Sequence, residues 1–228
     1  MTKSTARRDR LILIGLLLLA LVPIAAGAFR VTTLSIGAEV TDGNARFFAD
    51  PVPVVVHIIG ATLLSVLSPF QFLSGLRRRR LSRHRVMGWI IIPSGLAAAL
   101  TGIWMTLSYD LPATDTGQIL NVMRLAVGGA MAAAFVLGLV AIRRRDITRH
   151  SAWMIRGYAI GLGAGTQVFT HLPFVILGST PGETGRTVAM GAGWAINIVV
   201  AEWIIRTKLR GPKRTTAPRT VASGLATP

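Results

Sequence analysis

The chain has 228 residues, of which 51% are hydrophobic and 15% are charged, yet 25 Lys and Arg against 9 Asp and Glu give it a formal net charge of +16. Soluble domains carry about 25% charged residues, and a soluble chain of this size could not bury so much apolar surface. These figures exclude a disordered chain and an ordinary cytosolic enzyme, and the lack of cysteine excludes a disulfide scaffold and a thiolate metal site. They indicate a polytopic membrane protein whose charges lie in its loops.

Six segments are long and apolar enough to span a membrane, because a spanning helix needs about 20 mostly apolar residues. They cover approximately residues 11–29, 53–76, 86–108, 119–142, 152–178 and 187–205. The sequence therefore predicts an all-α membrane domain over residues 11–206. A cytoplasmic arm, 1–10, precedes this domain, and a tail rich in Thr, Pro and basic residues, 207–228, follows it and is expected to be disordered.

The first span has two interpretations. Basic residues precede an apolar run that ends in Ala26-Gly27-Ala28, as in a signal peptide with a small-x-small cleavage site. The apolar run is about 18 residues long, however, which exceeds the usual signal core of about 7–15 residues. This length favours a retained signal-anchor helix.

Basic residues fall in alternate loops, and this pattern predicts the orientation of the chain. They lie in the arm, after the second span, after the fourth span and in the tail: Lys3, Arg7, Arg8, Arg10; Arg77, Arg78, Arg79, Arg80, Arg83, Arg85; Arg143, Arg144, Arg145, Arg149; and six from Arg206 onward. Since cytoplasmic loops are enriched in Lys and Arg, we expect both termini in the cytoplasm and the protein in the bacterial inner membrane. The arginine clusters are expected to contact anionic lipid headgroups rather than nucleic acid.

An internal duplication is indicated at an offset of 66 residues. The second and third spans with their loop resemble the fourth and fifth spans with theirs. The matching groups are Arg77-Arg78-Arg79 with Arg143-Arg144-Arg145, Arg83-His84 with Arg149-His150, and Gly95-Leu96 with Gly161-Leu162. Both loops face the cytoplasm, so the sequence predicts two parallel hairpin repeats that form a central four-helix bundle, flanked by the first and sixth spans.

Several motifs in order carry a family resemblance. They are the Pro51-to-His57 stretch, Pro69-Phe70-Gln71-Phe72, His84-Arg85-x-x-Gly88, and His150-x-x-Trp153-Met154-x-Arg156-x-Tyr158-Ala159. Over about residues 47–205 the chain resembles a family of uncharacterised bacterial integral membrane proteins, domain of unknown function 2306. The resemblance implies a multi-span inner-membrane protein and implies no activity.

Histidines and methionines near the outer ends of the spans form the most specific candidate site. At about 1.5 Å of rise per residue, His57 and His171 lie at similar depth near the outer interface. The repeat offset places Met123 and Met105 opposite them. Imidazole and thioether are ligands of haem iron and of Cu(I), so haem b is the first candidate cofactor and copper the second. Core packing by the methionines, and hydrogen bonds from the histidines to neighbouring carbonyls, are the alternative interpretation.

Other polar groups define two further features. His84 and His150 lie at the inner interface, as a second histidine level or as residues beside lipid phosphates. Four polar residues are expected to line an intramembrane cavity: Ser68, Gln71, Gln167 and Arg124. Arg156 and Glu202 lie at similar depth near the inner end of their spans, which predicts a structural ion pair.

Two functions follow from this sequence. The first is a non-enzymatic membrane protein that binds a small ligand or a lipid in a polar cavity. The second is a b-type haem or metal-binding redox protein that uses His57 and His171. A membrane enzyme with a histidine acid or base stays a third alternative. The identity of the ligand and the oligomeric state are not determined by the sequence.

Overall fold

The structure, a computed structural model, describes residues 3–73, 80–111 and 117–209, and within these ranges it contains helices and no β-strand. In chain order the helices are α1 (Lys3–Ser35), α2 (Ala45–Ala49), α3 (Pro51–Gln71), α4 (Leu81–Ser108), α5 (Gln118–Arg143), α6 (Ile147–Gly161), α7 (Gly163–Ile176) and α8 (Glu183–Ile204). A π-helical turn, Ile205–Leu209, continues α8. The expected tail beyond residue 209 and the arginines 77–79 of the expected repeat lie outside the described residues.

Within the described residues five helices, α1, α3, α4, α5 and α8 with its π-turn, are long and apolar enough to cross a membrane. The pair α6 and α7 passes the same test as one span with a bend of 41°. The predicted fold class, an all-α membrane protein, is therefore confirmed, and the predicted number of six spans is reached when the bent pair is one span.

Helix ends follow local stop and start signals rather than the limits of the apolar runs. Helix α1 continues to Ser35, well past the apolar segment, and ends just before Gly37, whose φ of +63° a glycine adopts without strain. Helix α3 begins at Pro51, a favourable residue in a first helical turn, and ends at Gln71, five residues before the expected limit.

Helices α3, α4, α5 and α6 pack as consecutive neighbours, and α6 also contacts α3 and α4. Their shared core centres on Phe135, which is fully buried. The Phe135 ring fills the space beside Gly95 of α4 and Gly157 of α6, where a β-carbon would meet it. Glycine at these two positions therefore allows α4, α5 and α6 to approach one another around a single aromatic ring.

The two halves of the fifth span pack against different helices. Helix α6 packs in the core of the bundle, whereas α7 packs mainly against α8 and α1. On α8, Asn197 donates to the Ala159 carbonyl (3.1 Å) and accepts from the Thr166 hydroxyl (2.8 Å), so it joins the two sides of the bend. Such polar support is expected where a helix is interrupted inside a membrane.

The expected repeat stays a prediction. Its two histidines, His84 and His150, are each the fourth residue of their helix, α4 and α6. The matching leucines differ, because Leu96 lies within the unbroken α4 while Leu162 lies at the bend between α6 and α7. The bend therefore makes the two hairpins unequal.

Candidate functional site

A cavity of about 380 Å³, here called the central cavity, lies between the spans. Its lining comes from α2 to α8 and combines an apolar wall with a few polar groups. The polar side chains are Arg46, His57, Thr106, Tyr109, Arg124, Gln167 and the indole of Trp194. Arg46, Phe47 and Tyr109 lie where α2 and the last turn of α4 meet, which we call the α2 end of the bundle. The turn between α5 and α6, with Arg143, Arg144 and Arg145, lies at the opposite end, which we call the arginine-rich end.

His57 enters the central cavity from α3 in a defined hydrogen-bonding state. Its Nδ1 lies 2.8 Å from the Ala98 carbonyl oxygen of α4 and 3.3 Å from the Thr101 hydroxyl. A carbonyl only accepts, so Nδ1 carries the proton in the neutral ring and Nε2 keeps its lone pair. Metal-binding histidines commonly show this arrangement. The Nε2 lone pair is equally suited to accept a hydrogen bond from the hydroxyl of a ligand.

Phe47 of helix α2 closes the cavity at the α2 end of the bundle. The guanidinium groups of Arg30 and Arg46 both lie 4.3 Å from the centroid of the Phe47 ring. These cation–π contacts join α1 to the short helix. Because Phe47 also lines the central cavity, α2 covers this end of the cavity, and Arg30 attaches the cover to α1.

Tyr109 ties the same cover to α4. Its hydroxyl donates to the Asp50 carbonyl at 2.6 Å, and its ring meets Phe47 edge-on at 5.6 Å. Burial raises the pKa of the Tyr109 phenol, and the nearby Asp50 carboxylate adds to the rise, while the Val54 backbone N–H and Arg46 oppose it. The phenol is therefore neutral at physiological pH and acts as a donor.

Three methionines, Met105, Met131 and Met190, line the central cavity. Met105 was expected at this site, and the other two were not. Met123, which was also expected, packs instead beside Gly191 of α8. An Nη atom of Arg124 lies 3.9 Å from the sulfur of Met190. This positive charge disfavours cation binding at that sulfur.

His171 does not share the central cavity with His57. It lies on α7, and its Nδ1 is 2.8 Å from the Gln167 carbonyl of its own helix. Gln167, one turn earlier, lines the cavity and donates to the Met190 carbonyl at 3.1 Å. The expected site assumed a straight fifth span, whereas this span bends by 41° at Leu162 and His171 lies on α7, which packs mainly against α8 and α1. Among the described residues no three His, Asp or Glu side chains are arranged to hold a metal ion.

The remaining predicted residues lie away from the central cavity. Gln71 donates to the His84 carbonyl at 3.2 Å and so joins α3 to α4. His150 is bonded through Nδ1 to the Gly138 carbonyl of α5 at 2.8 Å. Ser68 is buried at the interface of α3 and α6. Of the four predicted cavity residues, Arg124 and Gln167 line the central cavity, while Ser68 and Gln71 lie nearer the arginine-rich end.

Arg156 and Glu202 form a two-point ion pair between α6 and α8. The Nε to Oε1 distance is 2.5 Å and the Nη2 to Oε2 distance is 3.1 Å. The Arg156 guanidinium also lies 4.7 Å from the centroid of the Trp153 ring. Both side chains of the pair are 29% exposed, so the pair lies at the edge of the helix bundle.

Sequence reasoning missed several residues of the central cavity: Arg46, Phe47, Thr106, Tyr109, Met131, Met190 and Trp194. Arg46, Phe47 and Tyr109 lie in or beside connecting segments that were treated as loops. Met131 follows Arg124, which was predicted to line the cavity, by seven residues, a spacing that keeps two residues on the same face of a helix. That spacing was the available signal for Met131.

Comparison with known proteins identifies the family. Residues 54–205 match the family model described as "Predicted membrane protein (DUF2306)", so the chain belongs to that family. No curated protein matches the chain. No solved structure matches it either.

Proposed function

For this member of the predicted membrane protein family, we propose a binding role: it holds one small, mainly apolar molecule in the central cavity. The observation that carries the proposal is the cavity of about 380 Å³ with its apolar wall and few polar groups. Ligand sites commonly measure about 300–1,000 Å³ and have this composition. No reaction is part of the proposal.

The size of the cavity limits the class of ligand. Each acyl chain of a phospholipid covers about half of a hydrocarbon core roughly 30 Å thick. The volume of two such chains exceeds the 380 Å³ of the cavity. The cavity therefore suits a single-chain lipid or a compact ring compound. His57 offers the lone pair of Nε2 to a ligand. Tyr109 lies at the α2 end of the cavity, together with Arg30 and Arg46. A ligand with a hydroxyl or another polar group at one end fits this arrangement.

The experiment that tests this proposal is native mass spectrometry of the purified protein in lipid nanodiscs, followed by organic extraction. We expect a non-protein molecule of constant mass at about one per chain. Ala164→Leu places additional carbons in the cavity lining and should reduce the retained molecule about tenfold, a loss of about 1.4 kcal/mol of binding free energy.

Ala130→Leu is the matched control, because Ala130 lies on the exposed face of α5 and does not line the cavity. It should retain the molecule at the wild-type level. The same lipid complement in wild type and Ala164→Leu, with no molecule of constant mass, would contradict the proposal.

A second candidate function is binding of haem b or copper by His57. The observation that favours it is the Nδ1 bond to the Ala98 carbonyl, which leaves Nε2 as a ligand atom in a cavity that also contains Met105 and Met131. Histidine and methionine together ligate haem iron in some cytochromes, where the haem carries electrons. His171 was predicted as a second ligand, but it does not line the central cavity, so this second candidate rests on His57.

An absorption spectrum and a metal analysis of protein expressed with haem available test the second candidate. A Soret band that is lost in His57→Ala supports it, and loss in His171→Ala as well extends the site to α7. A colourless, metal-free and folded sample eliminates it.

We propose further that the protein lies in the bacterial inner membrane with the arginine-rich end in the cytoplasm. The distribution of basic residues supports this orientation through the positive-inside rule. The arginine clusters would then contact anionic headgroups of the inner leaflet.

A further inference from the structure

The interface of α3 and α6 contains polar atoms that are buried and have no hydrogen-bond partner among the described residues. They are the Ser68 hydroxyl, the Tyr158 hydroxyl and, at the end of α3, the side-chain oxygen of Gln71. Ser68 is 4% exposed and Tyr158 is 5% exposed. The central cavity includes none of the three residues in its lining. They therefore form a separate feature.

Two helix contacts place Ser68 and Tyr158 on the same interface between α3 and α6. Leu64 fills the space beside Gly161, and the rings of Phe72 and Tyr158 lie 5.5 Å apart. Ser68 follows Leu64 by four residues and precedes Phe72 by four, so all three lie on one face of α3. Ser68 is thus enclosed between two contacts with α6.

Gln71 lies beside Phe72 at the end of this interface. Its amide nitrogen is used, because it donates to the His84 carbonyl at 3.2 Å. Its oxygen is left to accept another hydrogen bond. The interface therefore contains two hydroxyls that donate and accept, and one oxygen that only accepts.

Buried hydroxyls in a membrane protein are costly when they lack partners, because the surrounding hydrocarbon supplies none. A water molecule donates two hydrogen bonds and accepts two, so it matches this set of groups. Buried waters in proteins typically make about three hydrogen bonds to such groups. The three atoms are uncharged, which favours water over an ion.

We propose that the interface of α3 and α6 binds at least one ordered water molecule between Ser68 and Tyr158, with Gln71 as a further acceptor. This hydrated site lies beyond Leu64 and Gly161, which line the central cavity on its other side. The inference is independent of the proposed function, since it requires no ligand in the cavity.

Substitutions that remove one hydroxyl test the proposal through the sign of the stability change. If the hydroxyls bind water, Tyr158→Phe and Ser68→Ala each lower the midpoint of thermal unfolding in detergent. The two effects should be less than additive in the double variant, because the bound water is shared. Ser65→Ala, at a half-buried serine of the same helix, is the control and should leave the midpoint unchanged. If the hydroxyls are dry, removing either one raises the midpoint or leaves it unchanged, and the proposal is wrong.

Radiolytic hydroxyl-radical labelling gives a second readout that does not depend on the folding of Tyr158→Phe. Radicals formed from a bound water should oxidise Tyr158 in the wild-type protein in nanodiscs, although bulk solvent does not reach it. The labelling of Tyr158 should fall severalfold in Ser68→Ala. Absence of labelling in the wild type would overturn the proposal.

Discussion

At the scale of single residues, the chain pairs the intramembrane charges of Arg156 and Glu202 and uses three of its histidines as hydrogen-bond donors. Three histidines, His57, His150 and His171, direct Nδ1 to a backbone carbonyl at 2.8 Å. Only His57 among them lines the central cavity. The surroundings of each ring, rather than residue type, thus distinguish the candidate ligand from the structural histidines.

The Arg156–Glu202 pair gives a prediction at this scale. Arg156→Gln removes the positive charge beside the Glu202 carboxylate, which lies at the edge of the helix bundle. This substitution should lower the free energy of unfolding by about 1–3 kcal/mol. This is less than the roughly 3–5 kcal/mol of a fully buried pair, because both side chains are partly exposed. The measurement is chemical unfolding in mixed micelles.

The double variant Arg156→Gln/Glu202→Gln should recover part of the loss, because neither charge is then left alone. Arg143→Gln, at an exposed arginine that ends α5, is the control and should change stability by less than about 0.5 kcal/mol. If Arg156→Gln behaved like Arg143→Gln, the pair would have no stabilising role.

At the scale of helices, the bend between α6 and α7 has the largest effect on the site. It places α7 between α1 and α8, and both Gly161 and Ala164 beside the bend line the central cavity. Interrupted helices often lie at binding sites in membrane proteins, because their irregular backbone must face protein or a cavity.

Asn197 is expected to stabilise this bend. Asn197→Leu removes a donor from the Ala159 carbonyl and an acceptor from the buried Thr166 hydroxyl, and it should lower the free energy of unfolding by about 1–3 kcal/mol. Thr166→Val removes one of the same bonds, so the double variant should lose less than the sum of the two single losses. Additive losses in the same unfolding experiment would show that the two side chains are not coupled.

A close contact of α1 with α7 gives a third stability prediction. A β-carbon at Gly165 would meet the backbone of Leu19, which a small shift of a side chain cannot relieve. Gly165→Ala should therefore separate the two helices and lower stability by about 1–3 kcal/mol.

Gly129→Ala is the matched control, because no atom lies within 4 Å of a β-carbon at that position on the exposed face of α5. It should leave the thermal midpoint unchanged or raise it slightly, since alanine favours a helix more than glycine does. Equal effects of the two substitutions would contradict a tight α1–α7 contact.

At the scale of the whole molecule, the number of spans depends on whether the bent pair of α6 and α7 crosses the membrane or returns to the same side. With α6 and α7 as one span, the chain has six spans and both described ends lie at one face. This count agrees with the clustering of arginines in alternate loops.

The absence of cysteine allows single introduced cysteines to decide the topology. We expect a membrane-impermeant maleimide to label Asp42→Cys and Thr180→Cys in intact bacterial cells, and Ser82→Cys and Thr148→Cys only after the cells are opened. Labelling of Thr180→Cys only after opening, together with Thr148→Cys, would indicate a re-entrant pair.

The sequence alone determined the class of this protein, because hydrophobic length and charge distribution are properties of each segment by itself. The sequence alone also predicted the Arg156–Glu202 pair, because the two residues lie at similar depth in their spans. Depth can be counted along the sequence where the helices are regular, as they are near this pair. His57 and Gln167 were identified as interior groups from spacing within one span, and Met105 from the offset between the two predicted repeats.

Only the tertiary structure decided which of these residues meet. Depth along a straight span placed His171 level with His57, but the span bends at Leu162, α7 packs against α1 and α8, and His171 does not line the cavity that His57 enters. The return of α2 over the bundle adds Arg46, Phe47 and Tyr109 to the cavity through contacts between segments distant in sequence. Periodicity within one segment determines which face of a helix is buried, whereas the partner on that face depends on how several helices fill space together.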